Sequence, residues 1–281
     1  MNRRQFLKSA AVATLAAHSN LWRSETAVGL NLKNEQRPRI LQLRLLTAVP
    51  LQEMKDFYHD LIGLPILEEK SDAITFGGGQ TPVTFVNSKP ENGEPFYHVA
   101  FNIPENKILG AYEWQKPRTP LDRLGDHLRD PRFPDEVVHF RHWNAHSIFF
   151  WDPAGNLIEY IARHDLKNGA PRDFTAKDIL YASEIAFIAD DVTNTALEIR
   201  KRLGLEQYRG GDDHFRALGD EHGLLLVIYR GRRWGYNQAS ARPTSVFPTA
   251  AKIRGSRAEK YTVASYPYEI ETITTEAFLN E

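Results

Sequence analysis

The chain has 281 residues, 42% hydrophobic and 25% charged, the composition of a globular protein long enough for one large domain or two smaller ones. A formal net charge of -1 lacks the electrostatic footprint of a nucleic-acid binder. The sequence has no cysteine, which excludes disulfides, zinc–thiolate sites, iron–sulfur clusters and cysteine nucleophiles.

The N-terminus opens with Arg3 and Arg4, followed by Gln5, Phe6, Leu7 and Lys8 and a short run of small apolar residues from Ala10 to Ala17. That run is far short of the ~20 residues that span a bilayer, so no stable membrane anchor is expected. The arrangement resembles a twin-arginine export signal over residues 1–19, cleaved after Ser19. The resemblance implies a periplasmic or otherwise exported protein that crosses the membrane folded. Residues 20–37 are polar and aperiodic and read as a linker.

From residue 38 a unit repeats. "ILQLRLLTA" (Ile40 to Ala48) alternates as a strand. "PLQEMKDFYHDLIGL" is helical, with Leu51, Met54, Phe57, Tyr58 and Leu61 on one face and Gly63 as its stop. Three short strands follow within "PILEEKSDAITFGGGQTPVTFVN". The order recurs: "FYHVAFNIP" is a strand, "ENKILGAYEWQ" a helix, and "EVVHFRHW" with "HSIFFWDPAGNLIEY" supplies three more strands. The Pro- and charge-rich segment "KPRTPLDRLGDHLRDPRFPDE" between them reads as a loop or lid. A third copy runs from "ASEIAFIADD" through the helix "VTNTALEIRKRLGL" to "DHFRALGD" and "LLLVIYR". Beyond Arg230 the pattern thins to a loop and one last strand, "SYPYEIETI".

The hairpin poses the sharpest question. "DPAGN" is turn chemistry between two apolar strands, yet Glu159 stands between Ile158 and Tyr160. An acid there sits at an exposed edge or is held by a cation or metal.

The segments "FYHDLIGLPIL", "YHVAFNIP" and above all "FFWDPAGNLIEY" resemble the vicinal oxygen chelate superfamily, which includes glyoxalases, extradiol ring-cleaving dioxygenases and bleomycin-binding proteins. The resemblance implies an α+β fold of tandem βαβββ modules paired into an open curled barrel, plus a third partial module. It places the two-module domain at 38–165 and the third module, with a C-terminal loop and strand, at 178–281. It also implies a divalent metal, Fe(II), Mn(II), Ni(II) or Zn(II), held by His98, Glu159 and Gln42, the last matched to His98 by strand position. The substrate would be a small molecule chelating through two neighbouring oxygens.

By strand alternation His98, Ala100 and Asn102 face the cavity while Val99, Phe101 and Ile103 pack beneath the helix. Arg44 and Asn102 are candidate substrate contacts. His139, His142 and His146 are candidate acid–base groups, although His146 shares the face of Ile148 and Phe150. Three departures bear on the chemistry. Neither Thr84 nor Phe85 supplies the fourth carboxylate that glyoxalases use. Ring-cleaving dioxygenases carry histidine where Gln42 stands and tyrosine about where Phe149 stands. Glu184 holds the ligand position of module three, but that module completes no triad of its own and reads as structural, covering an edge or serving a homodimer. The alternatives left open are a metal-dependent dioxygenase, lyase or isomerase, a metal-free small-molecule-binding protein, and an inactive scaffold.

Overall fold

Alternating apolar residues and well-placed turn glycines build the expected modules. The computed structural model describes residues 37–123, 125–234 and 242–274. The export signal and nearly all of the linker lie outside the described residues.

Module one comprises β1 (Arg39–Thr47), a helix, β2 (Ile66–Glu69), β3 (Ala73–Gly78) and β4 (Thr81–Asn87). The helix begins as α1 (Leu51–Lys55) and widens into a π-helical stretch over Asp56–Leu61. The wider turn adds a residue per repeat and shifts the buried face by one position. Ile62, 2% exposed, therefore reaches the core in place of the expected Leu61, which is 39% exposed.

Module two comprises β5 (His98–Ile103), α2 (Ile108–Gln115), β6 (Val138–Phe140), β7 (Ala145–Trp151) and β8 (Leu157–Arg163). The strand expected over 136–143 is cut to the three residues of β6. A 3-10 turn over Arg141–Trp143 and the left-handed Asn144 (φ 48) end it. The β7–β8 hairpin turns as its sequence requires. Asn156 N donates to Asp152 Oδ1 at 2.8 Å, and Gly155 takes φ +77.

Module three comprises β9 (Tyr181–Ala189), α3 (Val192–Leu203), β10 (Gln207–Gly211), β11 (Phe215–Asp220) and β12 (Gly223–Tyr229). Asp191 caps α3 by accepting from Asn194 N at 2.9 Å, and Gly204 in the left-handed region ends it. The C-terminal part holds a short ribbon, β13 (Arg233–Trp234) with β14 (Arg242–Pro243), then β15 (Thr249–Arg254), β16 (Glu259–Thr262) and β17 (Tyr268–Ile273).

The sheets correct the expected partnership. An eight-stranded sheet runs β10-β11-β12-β9-β5-β8-β7-β6, and a seven-stranded sheet runs β16-β17-β15-β1-β4-β3-β2. Module two thus pairs with module three through antiparallel β5 and β9. Module one pairs instead with the C-terminal strands through antiparallel β1 and β15. Those strands form a shortened fourth module, in which β15, β16 and β17 repeat the pairing of β9, β11 and β12. Partner choice closes each sheet's central edge, which an unpaired β1 would leave open.

Parity along the strands separates two apolar faces in the eight-stranded sheet. Val99, Phe101 and Ile103 join a core that also takes Met54, Phe57 and Ile199 from the helical segments. Phe149, Leu157, Leu226 and Ile228 face the other way into a second cluster with Trp234. Each fully buried side chain of this size contributes about 1.5–3 kcal/mol. The second cluster walls the cavity described next.

Candidate metal centre and cavity

A cavity of about 580 Å³ opens on the curled face of the eight-stranded sheet. At its floor lie His98 of β5, Glu159 of β8 and Glu184 of β9. His98 Nε2 stands 3.3 Å from Glu159 Oε2 and 3.8 Å from Glu184 Oε2. All three side chains are buried, and their ligand atoms lie within 4.8 Å of one another.

Strand register explains the convergence. Ala100 pairs with Glu159 on one side and with Glu184 on the other. Both glutamates therefore project on the face that His98 and Ala100 share. By the same register Leu226, opposite Ala186, stands on β12 where Glu159 stands on β8. The fourth position of the site is thus apolar.

The ligand atoms are oriented from behind. His98 Nδ1 donates to Leu157 O at 3.1 Å, which aims Nε2 at the two carboxylates. Buried Arg163 donates to Glu184 Oε1 through Nη2 and to Asn102 Oδ1 through Nε at 3.1 Å. Glu159 Oε1 is buried with no hydrogen bond among the described residues. Burial, and then the Glu184 charge, raise the Glu159 carboxyl above its usual range. Burial pulls His98 downward, but hydrogen bonds and charge from Glu159 and Glu184 outweigh it and raise the imidazole to about 9.

These residues fit a divalent cation. Ligands bound at ~2.0–2.2 Å to one ion stand ~3–4 Å apart, the spacing found here. Arg163 bonds one of the two buried carboxylates, Glu184, while Glu159 faces His98 and leaves Oε1 without a hydrogen bond among the described residues. One imidazole and two carboxylates form a borderline-to-hard donor set.

The other expected site residues fall elsewhere. Gln42 and Arg44 lie on the seven-stranded sheet beside a separate pocket with Glu68, Lys70 and Thr84. Module one does not pair with module two, so neither residue joins His98. In that sheet the register places Gln42, Thr84, Ala250 and Glu271 where His98, Glu159, Glu184 and Leu226 stand in the other. Its one carboxylate already faces Lys252 Nζ at 3.7 Å. Asn102 is fully buried and committed: it donates to Tyr181 OH at 3.2 Å and to Glu221 O at 2.9 Å, besides accepting from Arg163.

The three histidines separate. His142 sits at the cavity rim with Nε2 2.7 Å from Arg209 O. His139 borders the cavity at the edge strand β6. His146 pairs with His139 on the sheet face away from Phe149 and Glu159, as alternation along β7 requires, and is 4% exposed. Burial lowers its pKa to about 4, so it is neutral near pH 7.

Sequence reasoning passed over Glu184 as a partner of His98, although "EIAFIA" repeats "HVAFNI" with Glu184 in the place of His98. It also passed over the cavity's aromatic wall, including Trp143, Phe215 and Trp234, and its rim of Arg141, Arg209 and Arg232.

No family model matches the chain. Over 156 residues it is 32% identical to Glyoxalase 1 of Caenorhabditis elegans, covering 52% of this chain and 55% of that protein. The Glyoxalase 1 of Caenorhabditis briggsae is 27% identical over the same length. The chain thus spans about half the length of the curated relatives it matches. Among solved structures, a "putative dioxygenase" from Bacillus subtilis matches with a TM-score of 0.53 at 14% identity, covering 88% of this chain and 91% of that one. A glyoxalase I variant from Zea mays matches with a TM-score of 0.51 at 13% identity, covering 90% of this chain and 99% of that one. These likenesses support the vicinal oxygen chelate fold: mixed α+β modules whose sheets curl around a cavity.

Proposed function

We propose that this protein is a metal-dependent enzyme that moves a proton between adjacent atoms of a small, largely apolar substrate bearing two neighbouring oxygens. The observation that carries this reading is the convergence of His98, Glu159 and Glu184 on the floor of an aromatic-walled cavity. These residues would hold the divalent ion, which when bound acts as a Lewis acid on the substrate oxygens. Glu184, fixed by Arg163, serves to anchor. Glu159, with one oxygen unbonded and its basicity raised by burial, serves to take and return the proton. Phe149 and Trp234 flank His98, with ring centroids at 6.3 and 5.2 Å, and keep water from its free edge. Arg141 and Arg232 at the rim suit an acidic group on the substrate. The described lining holds no tyrosine, and Phe149 stands where ring cleavage calls for one, so isomerase or lyase chemistry is favoured over dioxygenase chemistry.

A second reading also rests on an observation. With His98 protonated, the charges of His98, Glu159, Glu184 and Arg163 cancel, as in a metal-free binding protein. Elemental analysis separates the two. The enzyme reading expects one equivalent of tightly held divalent metal at this centre, lost ~10-fold or more in Glu159→Gln. It further expects solvent deuterium to enter an α-hydroxycarbonyl substrate only with wild-type protein. Wild-type protein that binds small aromatic acids equally well with and without chelator would overturn the enzyme reading.

A further inference from the structure

The loop leading into β6, residues 125–137, closes on a hydrogen-bond relay that the cavity chemistry does not use. His146 of β7 is gripped from this loop twice. Its Nε2 lies 3.3 Å from Asp130 Oδ2, and the Phe133 ring packs against its own with centroids 4.3 Å apart. On its other side the relay runs on. His146 Nδ1 lies 2.7 Å from His164 Nε2, and His164 Nδ1 lies 3.2 Å from Glu105 Oε2. Asp130, His146, His164 and Glu105 thus form a chain with a carboxylate at each end.

An ionised carboxylate only accepts, so His146 Nε2 and His164 Nδ1 must each carry a hydrogen. The bond between the two rings needs a third. Two neutral imidazoles carry only two, so the relay closes with one imidazolium in it. The Arg132 guanidinium, forked on Asp130, holds that carboxyl well below the usual range, so this end stays ionised. At the other end an imidazole outcompetes a carboxyl for the proton, since ordinary histidine and glutamate titrate near about 6.5 and about 4.3. His146 is 4% exposed, and burial lowers its pKa to about 4, whereas the His164 side chain is 25% exposed. The charge therefore belongs on His164. His164 donates to Glu105 and to His146, and neutral His146 donates its Nε2 hydrogen to Asp130. Loss of the extra proton leaves one of the three contacts as lone pair against lone pair, the equivalent of an unmade hydrogen bond.

We propose that this relay is a pH-sensitive latch: the proton shared through His164 and His146 completes it and holds the loop carrying Asp130 and Phe133 against β7, and loss of that proton loosens the loop. The loop borders the cavity through His127 and Leu128, so the latch sets how firmly one cavity wall is held, whatever the cavity binds. The sign follows from the proton count. The latched loop binds one proton more than the loosened one, so latching is favoured on the acid side and lost as pH rises through the titration of the relay as a unit. The charged neighbours are otherwise committed. Asp165 takes Arg209 and Asn144, and Arg132 stays on Asp130. His139 lies face to face with His146, parallel within 8°, and feels Asp130, Arg141, Arg132 and His164.

The test follows amide hydrogen exchange of residues 126–136 in the purified full chain, corrected for the intrinsic rate at each pH and referred to α3. In wild-type protein, protection of the loop should fall ~10-fold or more between about pH 5.5 and about pH 9, the worth of one hydrogen bond to a charged group. Glu105→Gln separates a latch from an ordinary contact. A glutamine amide can donate to His164 Nδ1, so the relay then closes with two neutral imidazoles, and loop protection should stay high at both pH values. His164→Phe should leave the loop loose at both. Circular dichroism and urea midpoints check the fold of each variant, and Glu105→Gln, at a partly exposed position, carries the test if His164→Phe does not fold. Nitrogen-15 spectra of the wild-type rings at the lower pH should show both His164 nitrogens protonated. Wild-type loop protection that does not change with pH, a neutral His164 ring at the lower pH, or a Glu105→Gln loop that loosens as wild type does would each overturn the latch.

Discussion

Arg163 is the residue on which the buried charge of the cavity floor depends. Its side chain is 0% exposed, and it joins Asn102 to Glu184. Replacing it with Met leaves Glu184 as an uncompensated buried charge, a change that costs roughly 3–5 kcal/mol. The urea midpoint of Arg163→Met should fall accordingly, and Arg163→Lys should recover only part because lysine lacks the fork that reaches two partners. An unchanged midpoint would show that Glu184 does not need its arginine. Asp152 makes a different case. It accepts from Tyr58 OH at 2.7 Å and from Asn156 Nδ2 at 2.6 Å, yet burial outweighs these bonds and raises it to about 6. The folded state then binds more protons than the unfolded chain between about pH 4 and 6, since an unfolded Asp titrates near ~3.9. The stabilisation is therefore fully present below pH ~4 and is lost as pH rises through about 6. Relative to Asp152→Asn, wild-type stability should fall by up to about 1.4 kcal/mol per pH unit across that window. A flat difference between the two proteins would refute the shift.

At the scale of elements, the β3–β4 hairpin shows how a turn docks one sheet on another segment. Gly79 takes φ +61 at its tip, and Gln80 N donates to Leu180 O at 2.8 Å. A Cβ at Gly79 would lie 2.2 Å from Leu180 O and 2.3 Å from Ile179 O. Gly93 also has positive φ, at +65, but a Cβ there meets nothing within 4 Å. Gly93→Ala should therefore cost only its backbone strain at φ 65, ψ -138, about 1–3 kcal/mol. Gly79→Ala should cost clearly more, because the backbone just before β9 must also move. Equal urea midpoints for the two variants would mean that the contact to residues 179–180 bears no load. The helix of module one illustrates the same dependence on context. Its apolar spacing identified the element, but the π-helical stretch that swaps Leu61 for Ile62 follows from packing against the core.

The described residues form two pairs of modules, and one pair carries a candidate ligand set. The pair formed by modules two and three holds an imidazole and two carboxylates, while the equivalent positions in the other pair are Gln42, Thr84, Ala250 and Glu271. Glu271 there pairs with Lys252 Nζ at 3.7 Å. Export is a property of the whole chain, and we propose it on Arg3 and Arg4, outside the described residues. Replacing both with Lys should leave the precursor in the cytoplasm by cell fractionation; unchanged export would sink the proposal.

What the sequence by itself determined is local. The element order of the first three modules, the β7–β8 turn at Asp152–Asn156, and the cavity-facing parity of His98 and Glu159 follow from alternation and turn chemistry, which short stretches enforce through backbone sterics; the fourth module made by β15–β17 did not show in that pattern. Glu184 was legible as a ligand position because its strand repeats that of His98. Which modules embrace was not legible. β1 could meet β5 or β15 with equal local propriety, since every strand edge offers the same backbone donors and acceptors. The choice is made by burial of the whole core and by contacts far apart in the chain, such as Tyr97 OH donating to Pro248 O at 2.8 Å. Tertiary structure alone therefore moved Gln42 away from His98 and brought Glu184 to it, because a site built between strands belongs to the pairing that forms it.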